Sequence, residues 1–141
     1  MTAQVEGRRF LLLAAGDRLA AVEARQVRRI LRALPTVPLP GAQPELLGLA
    51  EFAGEPLPVL DLTRLLGATP GATPAFPVTV VVWAGPASGK ELVGLAADAA
   101  LDLVTIPEER VTPGGEGLVA GEAVLPQGTV ELLDLARLGA A

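Results

Sequence analysis

Shifted by 73 positions against itself, the chain finds its own likeness at both ends of its two halves. The shift sets Phe10 on Trp83, Gly16 on Gly89, Leu19 on Leu92 and Val22 on Leu95. It also lays Leu60-Asp61-Leu62-Thr63-Arg64-Leu65 over Leu133-Asp134-Leu135-Ala136-Arg137-Leu138. Half of the residues are apolar, so an isolated Leu or Ala match means little. One offset that serves both a strand-turn-strand opening and an L-D-L-x-R-L closing means more. The period exceeds that of a stacked solenoid repeat and reads as two copies of one small unit packed together. At 141 residues, the chain should bury roughly two-thirds of its unfolded surface.

The element pattern is β-rich. Residues 8–15 read as a strand, Gly16-Asp17 as a tight turn and 18–23 as the hairpin partner. Ala24–Leu34 is ambiguous: Val27, Ile30, Leu31 and Leu34 follow helical spacing with Arg25, Arg28, Arg29 and Arg32 opposite. Prolines at 35, 38 and 40 close that segment, and Pro44–Leu47 suits a helical turn. Gly48–Phe52 and Leu57–Leu62 read as strands around Gly54-Glu55-Pro56, followed by a helical turn over Thr63–Leu66. Gly67–Pro77 is linker-like, being mostly Gly, Ala, Pro and Thr. The apolar run Val78–Trp83 predicts a strand covered on both faces. Glu91–Ala97, Leu101–Ile106, Leu118–Leu125 and Thr129–Leu135 complete the second copy, with a loop at Pro107–Gly117 and a last turn through Leu138. The residues thus predict a mainly β protein of two small barrels or sandwiches with short helical turns.

Composition excludes much chemistry. With no Cys and no His, the chain lacks thiolate ligands, disulfides, the commonest metal ligand and the usual general base. Residues 1–67 hold eight Arg against seven acids, and residues 68–141 hold three basic residues against nine acids. That polarity suits contacts with partners of complementary charge and argues against nucleic acid, which calls for a broad basic surface with interleaved aromatics. The apolar stretches are too short to span a bilayer, and Arg8-Arg9 after Glu6 lack the order of a signal peptide. The expectation is a cytoplasmic protein with no membrane insertion, no metal and no cofactor.

Motifs that suggest catalysis fail on inspection. Gly85–Lys90 lacks the spacing of a phosphate loop, with Ala84 and Glu91 at the places that need Gly and Ser or Thr, and reads as a hairpin turn. Ser88, the only Ser, has no base of the usual kind. Glu108-Glu109 reads as solvated surface. Asp61 and Asp134 each precede a helical turn and suit N-caps.

The order of these features, FLLLAAGDRLAAVEARQVRRI, then PELLGLAEFAGEPLPVLDLTRLLG, then VTVVVWAG…ELVGLAADAALDLVTI and a closing VELLDLARL, resembles the CheW-like domain of bacterial chemotaxis adaptors and of their partner histidine kinases. The segment from Gly48 to Leu62 is its most specific part. The resemblance implies a single CheW-like domain of two pseudo-repeated, SH3-like, five-stranded β-barrel subdomains, one about residues 8–67 and one about 78–139, joined by a linker at 68–77. It implies a non-enzymatic adaptor that couples the cytoplasmic tip of a methyl-accepting chemoreceptor to the regulatory domain of a CheA-type histidine kinase, in arrays beneath the membrane. An alternative is a diverged relative that binds the kinase only, or serves a signalling route other than motility. A small-molecule barrel fits less well, since convergent polar groups and aromatics are few.

By the same resemblance the partner-binding residues are Val27, Arg29, Gly48, Phe52, Ala53, Gly54 and Ala100. Three of them depart from the family pattern. Ala53 stands where an Arg usually helps hold the receptor, Arg29 where an acid is common, and Ala100 where Val is common. These departures imply weakened receptor capture or a receptor with changed charges. A charged residue at Phe52 is expected to weaken partner binding with thermal stability close to unchanged.

Overall fold

Two long apolar runs, one near the start of each sequence half, form strands covered on both faces, and the rest of the molecule is arranged around them. The computed structural model describes residues 7–71 and 77–138. Among these, β1 (Arg8–Ala15) and β2 (Arg18–Glu23) make a hairpin, and a 3-10 turn at Ala24–Gln26 leads into β3 (Val27–Arg32). A second hairpin, β4 (Leu46–Phe52) and β5 (Glu55–Asp61), runs into the one short helix, α1 (Leu62–Leu66). The second half gives β6 (Val78–Ala84), β7 (Glu91–Ala97), β8 (Ala99–Ile106), β9 (Val111–Pro113), β10 (Val119–Leu125) and β11 (Gly128–Leu133), with 3-10 turns at Glu108–Arg110 and Leu135–Arg137.

The strands form two sheets, and each sheet draws on both sequence halves. The six-stranded sheet has the order β8-β1-β2-β11-β10-β9, and the five-stranded sheet β3-β6-β7-β5-β4. Each opening hairpin has therefore crossed to the strands of the other half. The crossing is made by two parallel junctions, β5 on β7 with Val59 opposite Gly94, and β11 on β2 with Leu132 opposite Ala21. Both members of one junction lie 73 positions from members of the other. The expected partition into a unit at 8–67 and another at 78–139 follows the sequence repeat, but the sheets do not follow it. The physical reason is that both faces of each hairpin need apolar cover, and the other half supplies part of it. One sheet also has six strands rather than five, because β9 adds to β10 within the expected loop Pro107–Gly117.

Side-chain alternation along the hairpins divides the apolar interior into three layers. Leu11, Leu13, Ala15, Val80, Val82 and Ala84 point between the sheets into a central cluster with Val22, Leu95 and Leu62. Phe10 and Leu12 point the other way, onto Ile106, Ala123, Val130 and Leu132. Val81 and Ala96 fill the third layer with Ala50, Leu57 and Val59. Burying each Leu or Val of these strands contributes roughly 1.5–3 kcal/mol. Gly94 leaves room at its junction, since a Cβ there would stand 2.9 Å from Thr79 Cγ2 and 3.3 Å from Leu57 Cδ2.

Several local expectations are corrected. The ambiguous stretch 24–34 is a 3-10 turn and a strand, not a helix, because β6 supplies a ladder for Val27–Arg32. The helical turn expected at Pro44–Leu47 gives way to β4, which starts at Leu46. The β4–β5 turn is Ala53-Gly54, and Glu55 and Pro56 already belong to β5. Phe10 and Trp83 are not equivalent: Ala15 pairs with Arg18 across two turn residues, whereas Ala84 pairs with Glu91 across six. The longer second connection puts Thr79, not Trp83, at Phe10's place, and Trp83 is 38% exposed where Phe10 is 2%. Asp61 and Asp134 do cap, accepting from the backbone N–H of Arg64 and of Ala136 respectively. In the linker, Asp17 N donates to the Thr69 carbonyl (3.0 Å) and Thr69 N to Asp17 Oδ1 (2.8 Å), while the expected linker residues 72–76 lie outside the described residues.

Candidate functional site

β3 ends the five-stranded sheet and β8 ends the six-stranded one. Each carries a bulge at the same place in the repeat: β3 shifts register against β6 between Val27 and Arg29, and β8 shifts against β1 across Leu101. The bulges set which side chains face inward. Val27 and Ile30 lie opposite Val82 and Val80, and Ala100 and Leu103 opposite Leu13 and Leu11, all four partners belonging to the central cluster. The two strands therefore wall an open groove of about 380 Å³, floored by Leu11 and lined by Val27, Ile30, Ala100, Leu101 and Leu103. Ile30, Leu101 and Leu103 are 45%, 49% and 49% exposed, an unusual concentration of large apolar side chains in water. Val27 and Ala100 are 73 positions apart, as are Ile30 and Leu103, so the groove is built by equivalent strands of the two copies.

The expected partner-binding residues separate into groups. Val27 and Ala100 meet in the groove. Arg29 is exposed on the same strand but lies opposite Val81, whose side chain fills the third layer, so it projects on the far face from Val27 and Ile30. Gly48, Phe52, Ala53 and Gly54 belong to the β4–β5 hairpin. There Ala53 and Gly54 have φ values of 54° and 81°, the two positive angles of a type I′ turn. Ala53 is the one non-glycine with positive φ among the described residues. Gly48 is buried at φ 151°, and a Cβ there would collide with the Val37 carbonyl, whose oxygen accepts from Leu49 N (2.9 Å). Phe52 is half-buried against the Ala50, Leu57 and Val59 layer. A charge at Phe52 would thus strain the fold as well as the surface, which corrects the expectation of unchanged stability.

Ile30, Leu101 and Leu103 escaped the residue-level reading. The repeat offset could have found them, since it pairs Ile30 with Leu103 as it pairs Val27 with Ala100. What it could not reveal is the bulge geometry that turns them toward one space. Of the other surface depressions, one is lined by Arg8, Arg9, Glu23, Ala24 and Arg25, a second includes Arg18, Glu122 and Glu131, and a third joins Phe10, Val111, Leu132 and Leu133 with Arg8, Glu23 and Asp134. Glu23 sits between Arg8 (2.9 Å) and Arg25 (2.7 Å), an ion-pair cluster that occupies the first of these. Among the described residues no group of three acidic side chains is placed to hold a metal ion, and no helix is long and apolar enough to cross a membrane.

Residues 9–141 match the sequence model of the CheW-like domain. The chain belongs to the CheW-like domain family. Within it, the chain is 29% identical over 109 residues to a probable chemotaxis protein CheW of Rhizobium etli, an alignment covering 77% of this chain and 68% of that one. It is 31% identical over 137 residues to protein FrzA of Myxococcus xanthus, covering 92% and 83% of the two chains. The CheW-like fold extends to a solved structure, the scaffolding protein TtCheW of Thermoanaerobacter tengcongensis. That structure superposes with a TM-score of 0.81 over 96% of this chain and 94% of the other, at 17% identity.

Proposed function

We propose that the chain is a non-enzymatic adaptor of a chemotaxis-type signalling system, holding the helical cytoplasmic tip of a chemoreceptor in the groove between β3 and β8 and binding the regulatory domain of a CheA-type histidine kinase. The observation that carries this reading is the groove itself: solvent-exposed Ile30, Leu101 and Leu103 over a buried floor, framed by equivalent edges of the two sheets. Relatives named as chemotaxis proteins and a fold shared with a scaffolding protein support it. The quantity transmitted is position: the adaptor fixes a kinase against a sensor, and no bond is made or broken on this chain.

A second reading, a relative that keeps the kinase contact without the receptor or serves a route other than motility, is favoured by Ala53. That residue places a methyl group where the family's Arg would supply a charge-assisted hydrogen bond, worth roughly 1.5–3 kcal/mol. Calorimetric titration of the chain with the regulatory domain of a kinase encoded beside it, and then with a fragment of a receptor tip, tests both. Micromolar binding of each partner supports coupling. Kinase binding without receptor binding selects the second reading, and absence of both refutes the adaptor role.

A further inference from the structure

The groove is symmetric in backbone and asymmetric in chemistry. At the bulge, β8 places Leu101 where β3 places Arg28, and two residues beyond Leu103 it has Thr105 where β3, two beyond Ile30, has Arg32; each pair is separated by 73 positions. Arg32 lies opposite Val78, which packs on the central cluster, so it projects on the groove side of β3 beyond Ile30. Arg9, opposite Thr105, lies two residues before Leu11 on the same face of β1 and lines the adjoining depression just beyond the end of the floor. Among the described residues no acidic side chain lies within ion-pair distance of Arg9, Arg28 or Arg32, whereas Arg8 and Arg25 are both engaged by Glu23. The facing wall carries one carboxylate, Asp102, with Oδ1 accepting from Leu103 N at 2.8 Å. On a molecule of net charge −5, one edge of the apolar groove is thus bordered by Arg28 and Arg32, which carry no ion pair among the described residues, and the opposite wall presents Ala100, Leu101, Asp102 and Leu103.

Resting on the reading of this groove as a docking site, we infer that its occupant is an amphipathic α-helix whose apolar stripe is flanked by carboxylates on the side that meets β3. The apolar stripe covers Ile30, Leu101 and Leu103. The carboxylates reach Arg28, Arg32 and, at one end, Arg9, which form charge-assisted hydrogen bonds in fork geometry. Because the two walls differ in charge though not in backbone, they also fix which way round the helix lies. A helix flanked by Lys would set like charges against β3 and be rejected.

Three synthetic helices sharing one Leu/Ala stripe, with Glu, Gln or Lys at the flanking positions, provide the test. Each is titrated into the full chain at low and high salt, with backbone amide shifts identifying where it binds. The Glu-flanked helix should bind about tenfold more tightly than the Lys-flanked one at low salt, a margin that narrows as salt screens the pairs. The shifts should centre on Ile30, Ala100, Leu101 and Leu103. The double variant Arg28→Glu/Arg32→Glu should invert the preference, and Arg28→Gln/Arg32→Gln should abolish it, both with melting temperatures near the parent because these side chains are exposed. Equal binding of all three helices in the groove would overturn the charge selectivity and leave the docking reading standing. Absence of any groove shift with a folded protein would remove the docking reading itself. Shifts that grow with protein concentration alone would assign the groove to a second copy of the chain and overturn the proposal.

Discussion

Gly48 and Ala53 lie five residues apart in one hairpin and present opposite problems of the same kind. Gly48 combines a φ of 151° with a position against the Val37 carbonyl that leaves no room for a side chain. Gly48→Ala should therefore lower stability by about 2–4 kcal/mol, through backbone strain and displacement of the Val37–Leu49 bridge. Denaturant unfolding would measure it, and a loss under about 0.5 kcal/mol, the range of ordinary surface changes, would mean the loop simply moves aside. Ala53 has open solvent around it but a left-handed backbone, φ 54°, that burdens any residue with a Cβ by about 1–2 kcal/mol. Ala53→Gly relieves that strain and gives back part of it as unfolded-chain entropy, so a net gain of about 0.5–1 kcal/mol is expected, visible as a rise of a few degrees in Tm. A fall in Tm would show that the turn is not type I′ in solution.

At the scale of elements, β3 and β8 show how a strand edge becomes a surface for recognition. Their inward residues are continuous with the central cluster at Val27 and Ala100 and reach solvent at Ile30 and Leu103. Leu103→Glu should weaken receptor-tip binding about tenfold or more, since it sets a charge into an apolar contact, while Tm shifts by no more than a few degrees because half of the side chain is already in water. Titration with the receptor fragment, read beside a thermal melt, checks it; unchanged affinity would place the contact elsewhere. The strands of this site were legible only in part from the residues. Val27 and Ala100 stood out through resemblance to a family, but Arg25, Arg28, Arg29 and Arg32 at near-helical spacing disguised β3. The disguise has a physical cause: a bulge inserts Arg28 into the strand and breaks the alternation by which a half-buried strand is recognised.

For the whole molecule, the exchange of hairpins makes folding of the two halves interdependent. β1 and β2 find their neighbours in β8 and β11, and β6 and β7 find theirs in β3 and β5. A fragment ending before the linker and one starting after it should each lack a cooperative melt, whereas an equimolar mixture should recover the sheet signal and a single transition. Circular dichroism of the separate and mixed fragments decides the matter, and an independently folded half would contradict the interdependence. Read along the chain alone, the residues already indicated that the fold is mainly β, that a unit recurs at an offset of 73, that the Val78–Trp83 strand would be covered on both faces, and that Asp61 and Asp134 would cap turns. Those properties rest on local patterning and on identity between copies, which one dimension records. Packing in three dimensions settled which copy each hairpin joins, that β9 extends one sheet, and that the bulges turn Val27, Ile30, Ala100 and Leu103 toward one groove. Strand pairing between halves is set by which apolar faces find cover, and that choice is made among residues far apart in the chain.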